Sequence, residues 1–113
     1  MKLVAVAAIV AALAVPGALA ATPTLNGTVG PGFTITLKKS GVKVTKLKAG
    51  KYIFKIADKS SIHNFHLKGP GVNKLTPVGK SVNTTWTLTL KRGKYTYVCD
   101  PHASFMKGSF TVT

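Results

Sequence analysis

Lys94-Tyr95-Thr96-Tyr97-Val98 and Lys107-Gly108-Ser109-Phe110-Thr111-Val112 are two strand-like runs, and Cys99-Asp100-Pro101-His102-Ala103-Ser104-Phe105-Met106 joins them. β-branched and aromatic residues alternate with polar ones in both runs, as a half-buried pleated surface favours. Tyr95, Tyr97 and Cys99 share one parity, so Cys99 ends an inward-facing row. The joining loop holds a thiol, an imidazole and a thioether in the spacing Cys-x2-His-x3-Met. A second imidazole lies upstream in Ser60-Ser61-Ile62-His63-Asn64-Phe65. One Cys, two His and a weak axial Met are the donors of a trigonal copper site that exchanges single electrons.

Each of these residues alone has a commoner explanation. A lone Cys99 reads as a small buried apolar residue. His102 alone reads as a surface loop residue, and Met106 alone as core filler. Their joint spacing at a strand end, with an upstream His of inward parity, points to metal. The thiolate binds copper in both oxidation states, imidazoles suit the cupric ion and the thioether suits the cuprous ion. The expected ligands are therefore His63, Cys99, His102 and Met106, holding one copper (Cu+/Cu2+) per chain. Pro101 stiffens the loop, Phe105 and Pro101 exclude water, and Gly108 lets the chain re-enter a strand.

Working outward, the chain reads as short strands separated by turn signals. They are Leu25–Val29, Phe33–Lys38, Val42–Leu47, Tyr52–Ala57, Ile62–Leu67, Thr84–Leu90, Lys94–Val98 and Ser109–Thr113. Gly30-Pro31-Gly32, Ala49-Gly50, Gly69-Pro70-Gly71 and Arg92-Gly93 punctuate them. Asn73–Ser81 is the least regular stretch, a loop or one helical turn. The predicted fold is all-β, an antiparallel Greek-key β-sandwich of about seven to eight strands. Alternation puts Tyr52, Phe54 and Ile56 on one face, and Trp86, Leu88 and Leu90 on another. It turns His63, Phe65 and Leu67 inward and sends Asn64, His66 and Lys68 to the solvated face. On that parity His63 is a ligand and His66 is not.

Residues 1–20 read as a signal peptide. Lys2 precedes an apolar run from Leu3 to Val15, Pro16-Gly17 breaks it, and Ala18-Leu19-Ala20 is a cleavage signal. The mature chain, 21–113, is then a single domain that is exported to the periplasm, the cell envelope or the medium. No second apolar segment suggests a membrane span. A single Cys in an exported domain of this size is unusual, and metal occupancy accounts for it.

The chain carries 16 basic and 2 acidic residues, a formal charge of +14, of which Lys2 supplies one. The lysines are scattered, with no run longer than Lys38-Lys39, which with export argues against nucleic acid. They serve as solvated faces, or they steer the protein towards an acidic redox partner or an anionic envelope.

Ile62-His63-Asn64-Phe65-His66-Leu67 and Tyr97-Val98-Cys99-Asp100-Pro101-His102, continuing to Met106-Lys107-Gly108-Ser109-Phe110-Thr111-Val112, resemble the two copper motifs of the cupredoxins. The likeness spans about Lys46 to Thr113 and is greatest to the plastocyanin and amicyanin branches. It implies a Greek-key sandwich with a type 1 blue copper centre, with His63 as the upstream ligand. It also implies that Asn64 ties the two ligand loops together by hydrogen bonds. Three residues separate His102 from Met106, a spacing intermediate between those two branches. An acidic docking patch of the plastocyanin kind has no counterpart, since Asp58 and Asp100 are the only acids.

The resulting expectation is a monomeric electron carrier, not an enzyme, that serves a redox protein with an acidic docking surface. One alternative is an envelope protein that stores or delivers copper. A remoter one is a structural immunoglobulin-like domain that binds polyanions. Tyr97, two residues before Cys99, fits the tyrosine corner of that fold, but the second Cys is missing. Three His residues are too few for the copper clusters of an oxidase.

Overall fold

A computed structural model describes residues 21–113; the expected signal peptide, 1–20, lies outside the described residues. The strands are β1 (Thr24–Val29), β2 (Ile35–Lys39), β3 (Val42–Lys43), β4 (Lys46–Leu47) and β5 (Gly50–Asp58). They continue with β6 (His66–Gly69), β7 (Val72–Leu75), β8 (Val82–Leu90), β9 (Gly93–Val98) and β10 (Lys107–Val112). Two five-stranded sheets face each other, in the orders β3-β2-β1-β5-β8 and β4-β10-β9-β6-β7. Among the described residues no helix is long and apolar enough to cross a membrane.

The all-β sandwich matches the expectation, while strand number and pairing correct it. Val42–Leu47 is not one strand. Val44 and Leu47 are both buried, a spacing of three that breaks period-two alternation. The chain therefore crosses between sheets there, and β3 and β4 join different ones. β7 runs from Val72 into the start of the stretch expected to be irregular, paired to β6 in register Gly69↔Val72 and Leu67↔Lys74. The sheets are mixed, not purely antiparallel: β1 runs parallel to β5, and β10 parallel to β4. Both parallel pairs join segments distant in sequence, so no local turn signal announces them.

A row of aromatics crosses the core beneath the site. Phe65 and Tyr97 stack at 5.6 Å, Tyr95 and Phe110 stack at 5.3 Å, and Trp86 tilts against Phe65 at 6.4 Å. Offset-stacked pairs add to the burial of these large side chains. Tyr52, Phe54, Ile56, Trp86 and Leu90 are buried as alternation requires, with Leu88 partly buried. The tyrosine corner belongs to Tyr95 and not to Tyr97. Tyr95 Oη donates to Lys91 O at 3.0 Å and accepts from Lys91 N at 2.9 Å. Gly108 also has a different reason from the one expected. A Cβ there would lie 2.3 Å from the Tyr97 ring, so glycine is required by the close approach of that ring.

Candidate metal centre

Three of the four expected ligands sit on one hairpin. β9 and β10 pair in register Val98↔Lys107, and residues 99–106 close the end between them. Cys99 N donates to Met106 O at 3.0 Å, pinning the two ends of the loop. Asp100–His102 forms a 3-10 turn with Pro101 in its first turn, where a missing N–H costs nothing. His102 N donates to Cys99 O at 3.0 Å, and Met106 N to His102 O at 2.9 Å. Cys99 and Met106 are buried, at 0% and 1% exposed, while His102 is partly exposed.

His63 arrives from the connection that carries the chain from β5 to β6, from one sheet to the other. This corrects the sequence reading: 62–65 is not strand, and β6 begins at His66. His63, Asn64 and Phe65 are consecutive and all fully buried, which no strand facing solvent on one side allows. Asn64 is therefore not on a solvated face. Its Nδ2 donates to Asp100 Oδ2 at 2.9 Å and to Thr76 O at 3.2 Å, and its Oδ1 accepts from Asp100 N at 2.8 Å. These bonds join the His63 segment to the Cys99 loop.

The donor atoms of His63, Cys99 and His102 all lie within 4.8 Å of one another. The two Nδ1 atoms are 3.2 Å apart, and Cys99 Sγ is 3.6 Å from His63 Nδ1 and 3.5 Å from His102 Nδ1. Bonds of about 2.0 Å to nitrogen and 2.3 Å to sulfur in a flat trigonal set would give edges of roughly 3.5 Å and 3.7 Å. The triangle already matches those edges to within a few tenths of an ångström. Three donor atoms thus surround one point at the spacing that a metal ion would require. His63 Nε2 is buried with no hydrogen-bond partner. The imidazole is thus held by packing and by whatever Nδ1 binds. A thiolate, two imidazoles and a buried thioether suit copper better than harder cations.

His66 does not join this triangle. Its Nδ1 lies 2.9 Å from both carboxylate oxygens of Asp100, and its Nε2 lies 2.6 Å from Asn73 Oδ1. Both ring nitrogens are therefore engaged elsewhere.

Sequence reasoning missed Phe33, Thr76 and Asp58. The sequence pattern puts Phe33 in a strand, but β2 starts at Ile35 and Phe33 lies in the turn before it. Its ring meets His63 at 5.0 Å and His102 at 5.2 Å, both edge-on, with Phe105 at 6.2 Å. Phe33 and Phe105 are more than half exposed, so together they roof the imidazoles on the solvent side. Thr76 Oγ1 accepts from Phe65 N at 2.8 Å and donates to the buried Asp58 Oδ2 at 2.7 Å. Asp58 Oδ1 accepts from Ser60 N at 3.2 Å. The rarity of acids in this chain was the one available signal for Asp58.

Burial pushes the Asp100 carboxyl up. Hydrogen bonds from Asn64 and His66 and the nearby charges of His66 and Lys68 outweigh it and hold the group below its usual range. A carboxyl more acidic when folded stabilises above its unfolded value, about 3.9, and loses that contribution as pH falls through the folded value. Asp100→Asn should therefore lower the melting temperature of the metal-free protein at neutral pH. The gap to the unsubstituted protein should close in strong acid. A gap that stays constant throughout the acid range would refute this role for Asp100.

No curated protein matches the chain. Solved structures do. Reduced rusticyanin is similar at 24% identity with a TM-score of 0.57, covering 80% of this chain and 78% of that one. Rusticyanin from Thiobacillus ferrooxidans gives 24% identity and a TM-score of 0.54, covering 80% and 76%. Dithionite-reduced auracyanin from the photosynthetic bacterium Roseiflexus castenholzii gives 19% identity and 0.55, covering 83% and 99%. These likenesses concern the fold. The sequence of residues 28–113 matches the family described as copper binding proteins, plastocyanin/azurin family. The chain belongs to that family, and copper is its cofactor.

Proposed function

We propose that this protein carries single electrons, with copper held by His63 Nδ1, Cys99 Sγ and His102 Nδ1 and more weakly by the Met106 thioether. The observation that carries this reading is the preformed triangle of three donor atoms. Copper bound there supplies a one-electron cupric/cuprous couple. The protein's part is to keep the donors nearly fixed in both states. Asn64 clamps the two ligand segments, the Cys99–Met106 backbone bond closes the loop, and Phe65 and Tyr97 stack beneath it. Phe33 and Phe105 exclude water from the upper side, which raises the sensitivity of the couple to its surroundings. Among the three triangle residues only His102 reaches the surface, so its ring edge is the entry point for electrons at the roof. We further infer that residues 1–20 are removed on export and that 21–113 works as one domain outside the cytoplasm, with a redox protein as partner and no catalysis of its own.

The test is the visible spectrum and voltammetry of the protein loaded with cupric ion. An intense blue thiolate-to-copper band and a reversible one-electron wave are expected. A blue protein with an irreversible wave would instead favour copper storage or delivery. Met106→Leu should remain blue, because the thioether contributes little to holding the ion. Its potential should rise by ~60 mV or more, a tenfold change for a one-electron couple. A colourless Met106→Leu protein would show the thioether to be a principal ligand.

A further inference from the structure

The outer face of the sheet that carries Cys99 holds a groove of about 530 Å³ between the β3–β4 corner and β6. Lys43, Lys68, Lys94 and Lys107 line it, together with the hydroxyls of Thr96 and Ser109. The register explains the clustering. Lys68, Thr96 and Ser109 are direct cross-strand neighbours on β6, β9 and β10, and Val98 faces Lys107 one step nearer the ligand loop. Residues directly opposite across antiparallel strands point to the same side.

Among the described residues none of these four ammonium groups forms an ion pair, although the Lys68 charge acts on the nearby Asp100 carboxylate. Among the described residues the only ion pair is His66–Asp100, and Asp58 is buried under Thr76 and Ser60. Four like charges around one groove repel each other and raise its potential for anions. The groove is far larger than a simple anion needs. Its half-buried floor includes Val98 and Gly108, which suits the methylenes of a peptide better than a sulfated sugar. Val98 is bonded to Cys99, and Lys107 to Met106.

We propose that this groove docks an acidic, Asp/Glu-rich segment of the protein's electron-exchange partner, one residue from the thiolate and away from the Phe33–Phe105 roof. The proposal rests on the electron-carrier reading and names the partner's chemistry and its place.

The experiment titrates copper-loaded, reduced protein with a decaglutamate peptide and follows backbone amide shifts by NMR. Shifts should concentrate at Lys43, Lys68, Thr96, Lys107 and Ser109 and weaken with added salt. Lys68→Glu/Lys107→Glu should weaken the affinity by about tenfold or more, while Lys51→Glu/Lys55→Glu, an equal charge change on the other sheet, should change it by less than about twofold. Melting temperature and the blue band certify folding, and Lys68→Gln with Lys107→Gln replaces the double reversal if that fails to fold. Equal losses from both pairs, or shifts spread over both sheets, would overturn the proposal. So would heparin shifting the groove amides where decaglutamate does not, since that points to an anionic glycan. Peptide binding needs no electron transfer, so the two readings fail separately. Localised binding by a protein with an irreversible wave removes only the carrier, and a reversible wave without localised binding removes only the groove.

Discussion

Cys99→Ser is expected to lose the blue band completely and, with it, most of the stabilisation that copper confers. The band requires a thiolate bonded to the ion, and no other thiol is available because Cys99 is the only Cys in the chain. The stability effect follows from linkage. An ion present at one hundred times its dissociation constant stabilises the folded chain by about 2.7 kcal/mol. For a domain of this size each 1 kcal/mol moves the melting temperature by roughly 4–8 °C. The unsubstituted protein should thus gain ~10 °C or more from copper, and Cys99→Ser should gain little. Without metal the two should melt close together. Cys99 ends the inward row of β9, the chain around it is held by backbone bonds to Met106 and His102, and a serine hydroxyl is nearly the size of the thiol. Calorimetry with and without cupric ion checks both halves. A blue Cys99→Ser protein, or one with the full copper-dependent gain, would refute the thiolate assignment.

The second large effect separates two histidines that lie three residues apart. His63→Ala should abolish the type 1 spectrum, whereas His66→Ala should keep it. His63 Nδ1 is one corner of the donor triangle, fully buried, and a methyl group there leaves two strong ligands. His66 has both ring nitrogens engaged by Asp100 and Asn73. Its loss should show elsewhere: with the His66 hydrogen bond and charge removed, Asp100 loses part of what lowers its pKa. His66→Ala should therefore weaken the acid-dependent stability assigned to Asp100 while the colour persists. Absorption spectra of the two variants suffice for the main point. Loss of the blue band in His66→Ala with its retention in His63→Ala would exchange the two assignments.

The charge of the protein has a simple structural consequence. With Asp58 buried and Asp100 paired to His66, the basic side chains have no exposed, unpaired acidic neighbour. The field around the molecule is positive on both sheets. The groove on the Cys99-bearing sheet combines that field with a position beside the ligand loop.

The candidate ligands of the loop were legible in the sequence because they are local. Cys99, His102 and Met106 occupy one hairpin connection, so their spacing and the parity of Tyr95 and Tyr97 already carried the geometry. The sandwich was legible for the same reason: period-two alternation and Gly/Pro punctuation report each strand without reference to the others. The expectation that His63 is a ligand came from a parity argument that does not describe the actual backbone. Residues 62–65 are irregular, and His63, Asn64 and Phe65 are all buried because the chain there dives between the sheets. Which side chain meets the Cys99 loop is settled by the crossover and by the bonds of Asn64 to Asp100 and Thr76, contacts between segments 12 and 36 residues apart. Phe33, Thr76 and Asp58 reach the site or its supports from segments with no motif of their own, and the parallel pairs β1–β5 and β4–β10 join strands with no turn between them. Local periodicity records which side of a strand is dry. Only the packing of distant segments decides which of the dry side chains touch.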